Sequence, residues 1–226
     1  MDRNRAVFKQ NRIVLCMPSS QTLAIARNKY VLYKTFEYDD LVPSISTYLS
    51  GEVPITLLPA IAKPYNGRSS EGVLRISNVK ELEEVSSKSG YIFQEIIEGP
   101  VFTVDYIRNS YTDKDFSIVR EELLRTKNGA GTTVRMSNDM SLKRLVSHIG
   151  NMIQVNGCIN MEFIQSKGKY YLIDINPRFS AGVAFSHMAG YNMVLNHLNC
   201  FIVQDIQAPV LYQEQIITKR YREEIL

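Results

Sequence analysis

Two stretches in the second half of the chain decide the fold: Asn160-Met-Glu-Phe-Ile164 and Leu172-Ile-Asp-Ile-Asn-Pro-Arg-Phe-Ser180. Both alternate apolar and polar side chains, as half-buried strands do, and a short turn separates them. They predict an antiparallel hairpin formed by residues 159–165 and 169–176. One face of this hairpin is expected to carry Asn160, Glu162, Ile164, Leu172, Asp174 and Asn176. The opposite, apolar face is expected to carry Met161, Phe163, Ile173 and Ile175.

Antiparallel pairing would bring Glu162, Asp174 and Asn176 together on the polar face. Two carboxylates and an amide oxygen are hard ligands that suit magnesium, which keeps several waters and takes other ligands from phosphates. Arg178 follows just after the proline, where its planar guanidinium can hold a phosphate. The alternative is an ordinary strand pair with one solvated face. A buried acidic residue within Leu-Ile-Asp-Ile-Asn is costly unless it is paired or coordinated, which favours a functional site.

A second pattern, Lys63-Pro-Tyr-Asn-Gly-Arg-Ser-Ser-Glu-Gly72, follows a short apolar run. A lysine at a strand end, followed by a loop rich in glycine and serine, suits polyphosphate binding because backbone N–H groups can close over the oxygens. It is not a Walker motif, since the lysine precedes the loop. A glycine hairpin with a surface lysine explains the same residues, so this pattern alone does not establish a site.

The rest of the chain first mixes helices with strands and then continues mainly as strands. Further strands are predicted at residues 13–18, 57–62, 73–76, 91–97, 102–108, 116–126 and 213–221. Helices are predicted at residues 21–37, 44–49, 79–88, 141–156 and 183–202, the third of them capped by Asn78. This order favours an α+β fold of two small lobes with mixed or antiparallel sheets over a doubly wound sheet.

Composition narrows the functional classes. The 226 residues include 26 Lys and Arg against 23 Asp and Glu, a net charge of +3, which does not indicate a nucleic-acid-binding protein. The three cysteines lack the spacing of a disulfide framework or a zinc site. No apolar run reaches the roughly 18 residues of a membrane span, and the first residues do not resemble a secretory signal. We therefore expect a cytoplasmic protein that binds neither nucleic acid nor membranes.

Taken in order, Ile61-Ala-Lys-Pro64, Asn160-Met-Glu162 and Asp174-Ile-Asn-Pro-Arg-Phe-Ser180 resemble the ATP-grasp superfamily, and the resemblance extends over residues 19–202. Within this superfamily, the sequence most resembles the carbamoyl phosphate synthetase large chain and related stand-alone ligases. The resemblance implies an ATP-grasp fold whose two lobes clamp ATP with Mg²⁺ or Mn²⁺. It also implies activation of a carboxylate as an acylphosphate, which an amine, ammonia or a thiol then attacks.

The resemblance assigns roles residue by residue. The residues expected to bind ATP are Lys29, Lys63, Gly67, Ser70, Gly72, Glu95, Ile97 and Glu98. Among these, the two lysines would reach the phosphates, the loop 67–72 would close over them, and Glu95 and Ile97 would form the adenine hinge. The expected metal ligands are Glu162, Asp174 and Asn176. Arg178 would lie beside the transferred phosphate, and Arg178 and Lys63 are the expected catalytic residues.

Two positions depart from the family pattern. Asn28 stands where the helix carrying Lys29 usually has an aspartate, and Val101 stands where a glutamate often binds the ribose. Glu98 is the expected substitute for that glutamate; otherwise nucleotide affinity would be weaker. The substrate pocket is expected between residues 125–131 and 179–183, with Arg125, Lys127 and Ser180 as candidate contacts. Arg120 also belongs to this basic strand, for which a solvated surface is the alternative.

The expected organisation has three parts: residues 1–18 as the remnant of a preceding α/β domain or a linker, 19–92 as the small lobe with the phosphate-binding loop, and 93–226 as the large lobe with the metal site. Expected partners are a small carboxylate and an amine, with a homodimer, a missing N-terminal domain or a partner chain as further possibilities. A non-catalytic or partner-dependent nucleotide-binding module and a small-molecule kinase with the same clamp stay open as alternatives.

Overall fold

The computed structural model describes residues 1–67, 71–127 and 129–220, and within them it contains two antiparallel sheets. The four-stranded sheet has the order β1-β4-β2-β3, with β1 at Thr47–Leu49, β2 at Ala60–Pro64, β3 at Leu74–Ile76 and β4 at Tyr91–Glu95. The six-stranded sheet has the order β10-β7-β6-β5-β8-β9. Its strands are β5 (Val101–Asn109), β6 (Lys114–Arg125), β7 (Gly131–Ser137), β8 (Gly157–Ser166), β9 (Lys169–Asn176) and β10 (Ile216–Thr218). The predicted α+β class is thereby confirmed.

Seven α-helices accompany the sheets in the described part of the chain. They are α1 (Arg5–Gln10), α2 (Ser20–Arg27), α3 (Lys29–Phe36), α4 (Val79–Ser86), α5 (Met140–Met152), α6 (Val183–Met188) and α7 (Met193–Asn199). As predicted, the Asn78 side chain caps α4 by accepting a hydrogen bond from the Glu81 N–H. None of the helices within residues 1–67, 71–127 and 129–220 is long and apolar enough to cross a membrane.

The six-stranded sheet is covered on both faces. One face packs under α2, α3 and α5, where Leu32, Val104, Ile149 and Met161 are fully buried. The other packs under α6 and α7, with Ile118, Met136 and Tyr191 at its centre. The core of the smaller sheet is formed by Ala62, Ile76, Leu82, Val85 and Phe93. Helices α2 and α3, which lie within the segment predicted as the small lobe, therefore contribute to the core of the larger sheet.

A single helix over residues 21–37 is not what the structure contains, because α2 and α3 are separate. Asn28 adopts an extended conformation between them, and its side-chain oxygen accepts hydrogen bonds from the Tyr30 and Val31 N–H groups. Asparagine favours such caps because its short amide competes for backbone donors. The departure from the family pattern at Asn28 thus has a local structural role: Asn28 is the N-cap of α3, whose first residue is Lys29.

Several other predicted elements were wrong. Residues 13–18 form no strand: Ile13 and Val14 are 53% and 59% exposed, and the run has no strand partner among the described residues. The helix predicted at 44–49 is β1, whose Thr-Tyr-Leu sequence pairs with β4. Strand β7 was missed, although the buried Val134 and Met136 lie on either side of the exposed Arg135.

The C-terminal elements also differ from the prediction. The helix expected at 183–202 divides into α6 and α7, because Gly190 has a positive φ of 91° and Asn192 caps the second helix. The final strand is Ile216–Thr218, shorter than the predicted 213–221, and position 221 lies outside the described residues.

The hairpin that carries the predicted metal ligands is confirmed, with Asn160 opposite Asn176 and Glu162 opposite Asp174. The predicted alternation of faces was wrong for part of β9, because the strand register shifts at a bulge between Glu162 and Phe163. Because of this bulge Leu172 faces the buried apolar core, whereas Ile173 faces the polar side next to Asp174.

Candidate functional site

A cavity of about 300 Å³ lies between the two sheets. Its apolar walls come from Ile45, Ile61, Ile97, Ile164 and Ile173. Lys29, Lys63, Glu162 and Asp174 face it at one end, and the segment from Gln94 to Ile97, which joins the two sheets, forms its back. A flat apolar slot that ends in lysines and carboxylates can hold a heterocyclic base at one end and a polyphosphate at the other.

Lys63 reaches this cavity from the end of β2. Its Nζ donates to the Tyr33 hydroxyl at 2.9 Å, and Tyr33 in turn donates to the Ile173 carbonyl at 2.6 Å. Lys63 is only half-buried by accessible surface, but protein atoms crowd its ammonium group. This desolvation lowers the pKa of Lys63 to about 8, although the charges of Asp174 and Glu162 act in the opposite direction.

Lys29 enters the same end of the cavity from the first turn of α3. Its Nζ lies 2.7 Å from Asp174 Oδ1 and 3.4 Å from the Gly67 carbonyl oxygen. The Lys29 N–H also donates to the Tyr65 carbonyl at 2.8 Å, so that the start of α3 is tied to the loop after β2. The two lysines predicted from distant parts of the sequence are therefore brought together at one point.

A second cavity of about 260 Å³ adjoins the first and is more polar. It is lined by Arg120, Glu122, Asn160, Arg178 and Ser180, together with the backbone at Gly129–Gly131 and Ala181–Gly182. Arg125, Glu162 and Asp174 line both cavities. These three residues form a shared wall, so a ligand in one cavity would meet a ligand in the other beside them.

The residues of the shared wall are paired with opposite charges. Arg125 lies 2.8 Å from Glu162, and Asp174 is held by Lys29. Asn176 Oδ1 accepts from Arg178 at 3.2 Å. Within the described residues no group of three or more His, Cys, Asp or Glu side chains could hold a metal ion. Two facing carboxylates and an amide oxygen nevertheless fit Mg²⁺, which takes few protein ligands and completes its shell with water and phosphate oxygens.

Arg178 is exposed at the mouth of the second cavity, where it donates to the Phe179 carbonyl at 2.9 Å and to Asn176. No carboxylate within the described residues lies in ion-pair range of this guanidinium. Ser180, one of the predicted substrate contacts, is buried nearby and accepts a hydrogen bond from Arg120 at 3.0 Å. Arg178 is therefore well placed to hold an anion at the mouth of the second cavity.

Some predicted residues are not brought into either cavity. Glu98 and Lys127 are exposed and line neither one. Gly72 packs on Pro64, whereas its neighbours Glu71 and Val73 line the first cavity. Val101 pairs with Ile164 in the larger sheet. Ser70 lies outside the described residues. The remaining predicted residues that line a cavity are Gly67, Glu95, Ile97, Arg125 and Ser180.

A buried ionic cluster lies behind the second cavity, and most of its residues were not predicted from the sequence. Arg120 donates to Asp105 at 2.8 Å, and its Nε lies 3.3 Å from Glu122 Oε1. Ser186 donates to Asp105 at 2.6 Å. The available signal was the pair Arg120 and Glu122, two residues apart and therefore on the same face of β6. Asp105 and Ser186 could not be inferred as partners because they lie on other elements.

The comparisons with known proteins agree with this arrangement. The family model described as an ATP-grasp domain matches residues 26–182, more than half of the chain. No curated protein sequence matches significantly.

Similar solved structures all have low sequence identity. The biotin carboxylase of Campylobacter jejuni superposes with a TM-score of 0.78 at 16% identity, covering 92% of this chain and 53% of that one. For N5-carboxyaminoimidazole ribonucleotide synthetase of Thermotoga maritima the TM-score is 0.69 at 19% identity, with coverages of 85% and 53%. For the L-amino acid ligase of Bacillus licheniformis it is 0.65 at 17% identity, with coverages of 89% and 54%.

The chain thus spans about half the length of these proteins, and the likeness establishes the shared fold. The family match extends from the end of α2 to the turn after β9, a region that includes both lysines and the carboxylate pair. The chain belongs to the ATP-grasp domain family.

Proposed function

We propose that this chain is an ATP- and Mg²⁺-dependent ligase that activates a carboxylate as an acylphosphate. An amine, ammonia or a thiol then attacks the acylphosphate. The observation that carries this proposal is the shared wall: Arg125, Glu162 and Asp174 line both an apolar cavity and a polar one. A transferred group can therefore pass from one ligand to the other without leaving the protein, which is what a two-substrate reaction requires.

In this proposal the first cavity holds ATP. Its isoleucine side chains would contact the adenine ring, and the backbone of Glu95 and Ile97 would read the ring's edge. Lys63 and Lys29 would bind phosphate oxygens. Lys29 would have to exchange Asp174 for phosphate, and the desolvated Lys63 would gain a strong anionic partner.

Glu162, Asp174 and Asn176 would hold Mg²⁺, or Mn²⁺, at the shared wall. When bound, the metal neutralises charge on the phosphate oxygens. Arg125, which is paired with Glu162, would become available to the second substrate once that carboxylate turned to the metal. The ion pairs observed at this wall would thereby be exchanged for ligand contacts.

The second cavity would hold the carboxylate substrate, whose oxygen attacks the γ-phosphorus as the bond to the ADP oxygen breaks. Arg178 would stabilise charge on the transferred group, and Ser180 would help to position the acceptor. The nucleophile then forms a bond to the acyl carbon and loses a proton, and inorganic phosphate leaves. Positioning and charge neutralisation would do most of what the protein contributes, with no covalent enzyme intermediate.

Two finer assignments belong to the same proposal. The resemblance to carbamoyl phosphate synthetase suggests a small carboxylate substrate, which the volume of the second cavity supports. The chain spans about half of each structure compared, so we propose that a further domain, a partner chain or a second copy completes the acceptor side.

A nucleotide-binding module without catalysis is the second candidate. It is favoured by the positions of Glu98 and Val101, neither of which lines the nucleotide cavity to bind a ribose. A kinase that phosphorylates a hydroxyl group would use the same clamp.

Hydroxylamine trapping separates these functions. The purified chain is incubated with ATP, Mg²⁺, hydroxylamine and a pool of small carboxylic acids. A ligase forms an acylphosphate that hydroxylamine converts into a hydroxamate, with one ADP for each hydroxamate. A kinase forms ADP with a phosphorylated alcohol and no hydroxamate. A module binds ATP and forms neither product, and that result would refute the proposed activity.

A further inference from the structure

The cluster behind the second cavity has an unbalanced charge. Arg120, with 2% of its side chain exposed, lies between two carboxylates, Asp105 at 0% and Glu122 at 3% exposure. One guanidinium cannot fully compensate two buried carboxylates, and an uncompensated buried charge is costly. Asp105 Oδ2 accepts from both Arg120 and Ser186, whereas Asp105 Oδ1 and Glu122 Oε2 have no hydrogen-bond partner in the described part of the chain. The cluster therefore carries excess negative charge, and of its two carboxylates only Glu122 lines the second cavity.

Glu122 is the carboxylate of this cluster that adjoins the second cavity. It lines the cavity, and its Oε2 atom is buried with no hydrogen-bond partner within residues 1–67, 71–127 and 129–220. Gly131 makes room for it: a Cβ at this position would lie 1.9 Å from Glu122 Oε2. A buried, unpartnered carboxylate oxygen on a cavity wall is an acceptor for a charged donor of a ligand.

The same cavity presents complementary groups for an anion. Arg178 has no carboxylate partner in the described part of the chain, and Asn160 Nδ2 is a buried donor without an acceptor there. Both residues line the second cavity along with Glu122. The cavity thus offers one acceptor for a cation and two donors for an anion. Its volume of about 260 Å³ lies just below the roughly 300–1,000 Å³ typical of drug-sized ligands.

We propose that Glu122 binds the ammonium group of the substrate whose carboxylate is activated, so that the substrate is a small zwitterion with both groups. This inference rests on the proposed ligase function. The ammonium group would bind Glu122 Oε2 and restore charge balance around Arg120. The carboxylate would lie toward Arg178, next to the shared wall where the phosphoryl group is transferred. Discrimination would be strong, because a ligand lacking the ammonium leaves Glu122 buried without a partner.

The test compares matched ligands in the hydroxylamine assay, which needs no knowledge of the second substrate. The probes are the twenty standard L-amino acids and, for each, the 2-hydroxy acid in which a hydroxyl replaces the amine. Variant E122Q removes the charge at nearly constant volume. Variant E121Q is the matched control: Glu121 is the adjacent residue of β6, is bound to Arg135 at 2.7 Å, and lines neither cavity.

We expect at least one amino acid to give hydroxamate at ten or more times the rate of its 2-hydroxy acid. In E122Q the KM for that amino acid should rise about tenfold or more, as befits a lost charge-assisted contact, with the KM for ATP unchanged within about twofold. E121Q should retain wild-type constants. Equal rates with 2-hydroxy acids, or hydroxamate from amine-free carboxylates alone, would overturn the inference but leave the ligase function intact. So would an unchanged KM in a folded E122Q. Absence of nucleotide binding would refute the proposed function and this inference with it.

Discussion

Replacing Lys63 with methionine should stabilise the protein while weakening nucleotide binding. Burial lowers the pKa of Lys63 to about 8, from about 10.5 for a free lysine, so the folded state carries this charge at a cost. Methionine has a similar length and no charge to desolvate. Tyr33, which accepts the Lys63 hydrogen bond, keeps its own bond to the Ile173 carbonyl.

The magnitude follows from the pKa difference. The pKa of Lys63 differs by about 2.5 between the unfolded and folded states, and each pKa unit corresponds to about 1.36 kcal/mol. The charge therefore destabilises the folded state by roughly 3 kcal/mol at pH 7. For a chain of this size, about 2–4 °C per kcal/mol corresponds to a rise in Tm of roughly 6–12 °C for K63M. The cost is fully present below pH 8. It is relieved as pH rises from about 8 to 10.5, because in that range the unfolded chain binds the proton that the folded protein has lost.

The assay is urea unfolding of wild type and K63M between pH 6 and pH 10, with K80M as a control at an exposed lysine. The stability gain of K63M should be largest near pH 7 and should shrink toward pH 10, whereas K80M should change stability little at any pH. K63M should also bind ATP at least about tenfold more weakly. A K63M protein no more stable than wild type at pH 7, or a gain that does not vary with pH, would refute the argument that Lys63 is held desolvated.

Three further outcomes are expected. D174N should retain the wild-type fold by circular dichroism but lose the part of ATP binding that depends on magnesium; retention of that part would remove Asp174 from the metal site. G131A should raise the KM of the carboxylate substrate, because the added methyl would displace Glu122, and an unchanged KM would show that Glu122 does not contact it. Stability should fall as pH decreases from about 7 to 5, because burial lowers the pKa of His197, whose Nδ1 accepts from the Cys158 N–H. An H197Q variant that keeps the same pH dependence in urea unfolding would contradict this assignment.

Local sequence patterns predicted the parts of the site that depend on neighbouring residues. The hairpin of β8 and β9 was predictable because alternation and a short turn fix its register, and Glu162 duly faces Asp174. Asn78 was likewise predictable as a cap. The bulge that places Leu172 in the core was not predictable. No glycine or proline marks the position at which the alternation of core-facing and cavity-facing side chains changes.

The missing parts of the site depend on how distant segments pack. Arg120 is compensated by Asp105 of the neighbouring strand β5, and this pairing depends on the register between the two strands, which no local pattern reveals. Tyr33 belongs to a helix face that looked like ordinary core, although its hydroxyl lies between Lys63 and the carbonyl of Ile173. Lys29 and Asp174 are far apart in sequence, and their pairing follows from the packing of α2 and α3 on the larger sheet.

The central claim is that the cavity between the sheets binds ATP with magnesium. Thermal unfolding of the purified chain with ATP, with and without Mg²⁺, tests it most directly. A ligand at about 100 times its Kd stabilises the folded state by roughly 2.7 kcal/mol, which corresponds to a rise of roughly 5–10 °C in Tm for a chain of this size. We expect a rise in Tm with ATP that increases when Mg²⁺ is added. An unchanged Tm at millimolar ATP with Mg²⁺ would contradict it.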